Sequence, residues 1–250
     1  GNTICRTANM DRMASEGVAF TQFYANSALC GPSRFATYTG LPAFYHPNWA
    51  NPNCAKLPFL PYMGHLFRDA GYHTGSVGKL HGMPEDFDFG FTFCRHNWSL
   101  KSPLACNHYG NWAREQVEKH PDSRKLKEAI AAKQRDPFTA TDEDHYFIPR
   151  ELSEETWLLA EMDNFLDDAP DNKPFMLNLG IQHPHQAWET IPSDDERYDP
   201  NSIPLPENHE QRSPIGNQLA SSLQPEHTPE EWRRFISRYY TSVTQVDKAI

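Results

Sequence analysis

No run of eighteen apolar residues occurs in the chain, so no segment reads as a membrane-spanning helix. Nor is there a block of Lys and Arg. With 23 basic against 33 acidic side chains the formal net charge is −10. A chain without clustered cations is a poor partner for phosphate backbones, which argues against nucleic acid as its ligand. The five cysteines (Cys5, Cys30, Cys54, Cys94, Cys106) are an odd number and include no C-x-x-C, so neither a disulfide framework nor a zinc ribbon accounts for them. There is no internal repeat and no low-complexity tract. The opening residues Gly1-Asn2-Thr3-Ile4-Cys5 show neither an initiator Met nor a signal peptide's basic-then-apolar pattern. What is present is a chain of 250 residues, 38% apolar and 12% aromatic, long enough to bury a core as one large α/β domain or two small ones. Its 21 prolines predict long irregular connections.

The patterning alternates helix and strand. Residues 7–16 read as a short helix capped by Thr7 and closed by Gly17, and Val18, Phe20 and Phe23 suggest a strand leading to Cys30. Pro32 opens a helix that Gly40 ends. A helix at 62–70, with Met63, Leu66, Phe67 and Ala70 on one side, precedes a short strand at 72–77. Residues 95–150 mix Asn, His, Pro and charge, and read as loops plus one polar helix near 112–133. Ser153 caps a helix with the stripe Leu158, Leu159, Met162, Phe165 and Leu166. The nearly continuous apolar run 175–181 reads as a strand buried on both faces. A Pro-rich stretch, 191–229, leads to Thr228-Pro229-Glu230-Glu231, which has the form of a capping box. Trp232, Phe235, Ile236, Tyr239, Val243 and Val246 then recur at helical spacing. This order implies a mostly parallel sheet with helices on both faces, where ligands sit beyond the C-terminal ends of strands.

Three clusters follow the legible strands. In Cys30-Gly31-Pro32-Ser33-Arg34-Phe35-Ala36-Thr37-Tyr38-Thr39-Gly40, the thiol lies just before a Pro-initiated helix, where unpaired N–H groups and the helix dipole favour an anion. Arg34, one turn on, can return its guanidinium to the same spot. A plainer reading is a buried free Cys beside a helix start. In Val77-Gly78-Lys79-Leu80-His81-Gly82, Gly lets backbone approach an anion, Lys supplies a point charge and His a hydrogen bond; alone, such a Lys is usually just solvated. Gln182-His183-Pro184-His185 follows the third strand. Two His beside Pro can simply end a strand, and His183 stays nearer that reading. A zinc pair lacks a third clustered ligand.

Together these clusters resemble the formylglycine-dependent sulfatases of the alkaline-phosphatase-like superfamily. Residues 30–40 match the signature C-x-P-S-R-x-x-x-x-T-G at all six fixed positions, an accident expected on the order of once in 10⁵ chains at ~5% usage per residue type. Gly78-Lys79-Leu80-His81 looks like the second signature, Phe89-Gly90-Phe91 fits the family's habit, and Pro184-His185 looks like its Pro-His. The resemblance extends to Ala8–Phe20, with Ala8 where Pro is usual, and to Tyr239–Asp247. It implies that Cys30 becomes formylglycine, that Arg34, Lys79, His81 and His185 are catalytic, and that Lys79 and His185 bind substrate; His183, without a firm counterpart in the family, is a further substrate-binding candidate. It also implies Ca²⁺, with Mg²⁺ as the alternative, held in part by Cys30 as formylglycine and otherwise by ligands outside the chain.

On the same resemblance, residues 1–250 form a partial catalytic domain, incomplete at both ends and inactive alone. Its stretches 95–150 and 186–228 would be loop-rich insertions. The implied partners are a sulfated small molecule or glycan and a formylglycine-generating maturation enzyme. The alternatives are a phosphonate monoester or phosphodiester hydrolase of the same superfamily, or a catalytically silent relative that only binds sulfated glycans. Joint presence of Cys30, Lys79, His81 and His185 counts against the latter.

Overall fold

The computed structural model describes residues 2–51, 54–57, 60–98, 104–132, 149–185, 196–207, 209 and 227–250. The chain divides into two compact units, one of residues 18–132 and 148–182, the other of residues 1–17, 133–147 and 183–250.

The first unit is built on a parallel sheet of β1 (His73–Gly78), β2 (Phe93–His96) and β3 (Phe175–Gly180), in the order β2-β1-β3. The pairing runs from His73↔Phe175 to Gly78↔Gly180 on one side, and from Gly75↔Phe93 to Gly78↔His96 on the other. Successive strand residues feed opposite faces, as a two-residue period requires. Cys94 and Met176 pack against a cluster of Phe35, Tyr38, Cys54, Tyr62, Leu80, Phe87, Phe89 and Phe91. Phe93 and Leu177 pack against Val77, Tyr109, Ala113, Trp157 and Leu158. The mostly parallel sheet with helices on both faces is therefore as the sequence indicates.

The helices of this unit are α2 (Cys30–Thr39), α3 (Met63–Asp69), α4 (His108–Lys119), α5 (Ser123–Ala132) and α6 (Glu154–Asp168), and α1 (Ala8–Glu16) and α7 (Pro229–Ala249) belong to the other unit. Gly40 closes α2 in the left-handed conformation, and the Ser153 hydroxyl caps α6 by accepting from the Thr156 N–H at 3.2 Å. The aromatic cluster ties α2 to the segment after β1: Phe89 lies 5.0 Å from Phe35 and 4.6 Å from Tyr38, ring centre to ring centre. Burying each such ring contributes about 1.5–3 kcal/mol, so the Phe89-Gly90-Phe91 motif serves here to anchor α2.

Several expectations are corrected. Residues 18–23 form no strand: Val18 is 79% and Phe20 77% exposed, because an alternating pattern needs a ladder to pair with and no described strand supplies one. β3 is only partly buried, with Phe175 and Leu179 exposed, because among the described residues it is an edge strand of the sheet. On α3, Gly64 is buried while Leu66 is exposed. The polar helix near 112–133 is two helices, α4 and α5. Residues 99–103 and 133–148 of the 95–150 stretch lie outside the described residues, as do 186–195, 208 and 210–226 of the 186–228 stretch.

The second unit contains α1 (Ala8–Glu16) and α7 (Pro229–Ala249). The expected capping box opens α7: Thr228 Oγ1 accepts from the Glu231 N–H at 3.2 Å, and Glu231 Oε2 accepts from the Thr228 N–H at 2.7 Å. The expected apolar stripe is buried only in part. Phe235 and Val246 are buried and Tyr239 is not, while Ser237, Thr241, Thr244 and Asp247 are buried. These polar groups are paired: Ser237 Oγ donates to the Tyr198 carbonyl at 2.6 Å, and Thr244 Oγ1 donates to the Arg6 carbonyl at 2.9 Å. Among the described residues no helix is long and apolar enough to cross a membrane.

Candidate active site

The site lies at the carboxyl end of β1. There Gly78, at φ +98°, and Gly180 stand opposite each other; a Cβ on Gly78 would come 2.3 Å from the Gly180 carbonyl oxygen, and one on Gly180 would come 2.4 Å from that of Lys79. The Lys79 N–H donates to the Gly180 carbonyl at 2.7 Å. Gly78 thus serves a close strand crossing that fixes Lys79, a different role from letting backbone approach an anion. Lys79 is buried, and its ammonium is pushed below the usual lysine range by desolvation and by Arg34, with Cys30 and Glu154 pulling the other way.

Arg34 reaches the same point from α2, its Nη1 donating to the Lys79 carbonyl at 2.6 Å. One turn further on, burial pushes the Tyr38 phenol up while the Arg34 charge opposes the shift. Asn178 on β3 donates to the Tyr38 hydroxyl at 3.3 Å and to Ser76 Oγ at 3.0 Å. Helix and strands are therefore locked together beneath the two cations.

Cys30 is the first residue of α2 rather than the residue before it, and Pro32 is the third. The helix start is not the open anion cradle that the sequence suggests. The Gly31 N–H donates to Asn51 Oδ1 at 2.9 Å, Pro32 has no N–H, and the Ser33 N–H donates to the Leu29 carbonyl at 3.0 Å. Positive charge at this site comes from side chains. The Cys30 thiol is half-buried and donates to Asn51 Oδ1 at 3.4 Å. Cys54, beside Gly31, is pushed up to about 11 by burial and by Cys30, and so is an inert thiol at neutral pH.

The structure thus brings Cys30, Arg34 and Lys79 together. His81, two residues past Lys79 at φ +63°, places its ring edge-on to Trp98 at 5.8 Å. His183 and His185 fall in the other compact unit, beginning one residue after Gln182. Sequence reasoning missed Asn51 and Glu154. Asn51 sits in an Asn-Pro-Asn run that reads as a turn. Glu154 reads as a first-turn acid, yet it is buried, its Oε1 accepts from the Gln182 N–H at 2.9 Å, and its charge is felt by Lys79.

Formylglycine fits position 30: a half-buried side chain with a carboxamide oxygen beside it and two cations close by suits an oxygen-bearing group that handles an anion. Ca²⁺ and Mg²⁺ do not find a site in the same residues. Ca²⁺ takes six to eight oxygen ligands, whereas Cys30 is met by an amide and cations. Among the described residues, no group of three or more His, Cys, Asp or Glu is arranged to hold a metal ion.

Comparison with known proteins gives a consistent result. The family described as Sulfatase matches residues 1–250. The chain is 30% identical to an N-acetylglucosamine-6-O-sulfatase of Bacteroides thetaiotaomicron over 77% of its own length and 28% of that protein's. It is 26% identical to an arylsulfatase of Clostridium perfringens over all of its own length and 54% of the relative's. Among solved structures, the phosphonate monoester hydrolase of Agrobacterium radiobacter superposes over the whole chain and 54% of that protein, with a TM-score of 0.74 at 19% identity. The chain spans about half or less of the length of these relatives.

Proposed function

Because the chain belongs to the sulfatase family, we propose that it carries the anion-holding core of a sulfuric ester hydrolase whose nucleophile is made from Cys30. The observation that supports this best is the meeting of Cys30, Arg34 and Lys79 at the end of β1. Oxidised to formylglycine by a maturation enzyme, position 30 supplies a hydrated aldehyde, one hydroxyl of which attacks sulfur while the other allows sulfate to be expelled.

Arg34 and Lys79 hold the sulfate oxygens and stabilise the charge that builds on them during transfer. The burial of Lys79 and the partial burial of Arg34 strengthen that effect, since low dielectric raises the value of fixed charges. Burial lowers the proton affinity of Lys79, and the Glu154 carboxylate opposes that shift whether position 30 is a thiol or an aldehyde hydrate. His81 hydrogen-bonds the group at position 30. By resemblance to the family, His185 is assigned the protonation of the departing ester oxygen, and His183 a contact with substrate. The substrate class is a sulfated small molecule or glycan, in keeping with the sugar sulfatase among the relatives. The structural neighbour's name favours one second reading, a phosphonate monoester or phosphodiester hydrolase with the same nucleophile.

Mass spectrometry of the peptide bearing Cys30, after co-expression with a maturation system, tests the nucleophile. An aldehyde is expected there, and unmodified thiol under conditions that convert a known sulfatase would overturn the reading. A panel of sulfate, phosphonate and phosphodiester substrates separates the two hydrolases. In the active protein Lys79→Ala is expected to lower kcat about 10²–10³-fold. His185→Ala is expected to hurt esters with poor leaving groups more than activated aryl sulfates, and equal losses would remove His185 from the acid role.

A further inference from the structure

Asn51 is the polar side chain that the described structure places against the Cys30 thiol and the α2 start at once. Leu29, at the position where a helix usually finds its cap, cannot accept a hydrogen bond through its side chain. Asn51 Oδ1 arrives from a loop twenty residues on, takes the Gly31 N–H at 2.9 Å and faces Cys30 Sγ at 3.4 Å.

The loop that carries it is tied on both sides. Asn48, buried, brackets it by donating to the Ala55 carbonyl at 2.9 Å and accepting from the Ala55 N–H at 3.2 Å. The Met83 N–H donates to the Cys54 carbonyl at 2.7 Å and the Lys56 N–H to the Met83 carbonyl at 2.8 Å, which pins the loop to the segment that follows Lys79 and His81. Close approach depends on Gly31, since a Cβ there would lie 2.0 Å from Cys54 Sγ and 3.1 Å from Asn51 Oδ1.

We propose that Asn51 is a positioning residue for the side chain at position 30, its Oδ1 fixing the direction in which that side chain donates a proton. The thiol donates to it in the unconverted protein. In the converted protein one hydroxyl of the hydrated aldehyde takes the thiol's place, leaving the other aimed at the ester held by Arg34 and Lys79. The catalytic consequence rests on the hydrolase reading above; the hold on position 30 does not.

The test uses the unconverted protein and the infrared S–H stretch, with Cys30→Ala identifying the Cys30 band by its loss. A hydrogen-bonded S–H absorbs at lower frequency than a free one. Asn51→Ala is expected to move the Cys30 band up, and Asn51→Asp, a stronger acceptor that still takes the Gly31 N–H, to move it down. Opposite displacements are not what a purely structural cap would give, because both variants would then leave the band where it is. That unmoved band overturns the proposal. Should Asn51→Ala fail to fold, the Asn51→Asp displacement alone decides.

In converted enzyme, Asn51→Ala is expected to lower kcat about tenfold with KM within twofold, because the ester remains held by Arg34 and Lys79. A rise in KM with kcat unchanged would assign Asn51 to substrate binding instead and overturn the catalytic part. Displaced bands together with no aldehyde at position 30 would sink the hydrolase reading while supporting Asn51's hold on the side chain.

Discussion

The helices of this protein begin in two different ways. α6 and α7 are capped by residues next to them in sequence, Ser153 and Thr228, the latter in a reciprocal box with Glu231. α1 and α2 are not: Thr7 makes no cap to the helix it precedes, and neither does Leu29. Their first N–H groups are satisfied from far along the chain. On α1, the buried carboxylate of Asp247 accepts from the Asn9 N–H at 3.0 Å and the Met10 N–H at 2.8 Å. On α2, Asn51 accepts from the Gly31 N–H. A local cap needs only the right spacing and stabilises one helix. A distant cap also fixes where two segments meet, and at α2 it brings a carboxamide to the residue proposed as the nucleophile.

The contrast can be broken by mutation. Asp247→Ala is expected to have the largest effect, about 3 kcal/mol lost in urea unfolding, because two partly buried N–H groups lose the carboxyl acceptor they share. A loss below about 1 kcal/mol would place Asp247 among ordinary caps. Asn51→Ala should come next, at about 1–2 kcal/mol by the same measurement. Gly31→Ala should destabilise comparably by pushing Cys54 and Asn51 aside. Adding Cys54→Ala should recover part of that loss; no recovery would mean that the contact with Cys54 Sγ is not what resists a side chain there.

Ser153→Ala and Thr228→Ala should each cost about 1 kcal/mol. If either equals Asp247→Ala, distance along the chain has no bearing on what a cap contributes. The smallest effect is one of pH. The Thr228 N–H holds the Glu231 carboxyl below its ordinary 4.5. The capping box is therefore fully formed above about 4.5 and is lost as pH falls through the lowered folded-state value. The protection of the Thr228 amide against hydrogen exchange, relative to its intrinsic rate at each pH, should fall in that range in the native protein, and Glu231→Gln should abolish that fall.

The site divides along the same line. Cys30, Arg34 and Lys79 were legible because their neighbours in sequence form a signature, and Arg34 one turn past Cys30 can reach the same spot. Asn51 and Glu154 were not, since a turn-like Asn-Pro-Asn and an acid in a first turn look alike wherever they occur. The helix start was misread for a related reason: its N–H groups are free until a side chain from elsewhere takes one. The buried polar face of α7 was hidden by its own apolar residues, which recur at helical spacing although Tyr239 ends up exposed and Ser237, Thr244 and Asp247 do not.

By itself the sequence determined the alternation of helices and parallel strands, the local caps at Ser153, Thr228 and Gly40, and the signature around Cys30. Each of these rests on interactions between residues a few positions apart, which spacing encodes directly. Tertiary structure alone decided that Gly78 and Gly180 let two strands close on Lys79, that Phe89 anchors α2, and that Asn51 and Asp247 complete helices they do not adjoin. Those contacts join residues 20 to 238 positions apart, and no local period records which distant donor a given acceptor will meet.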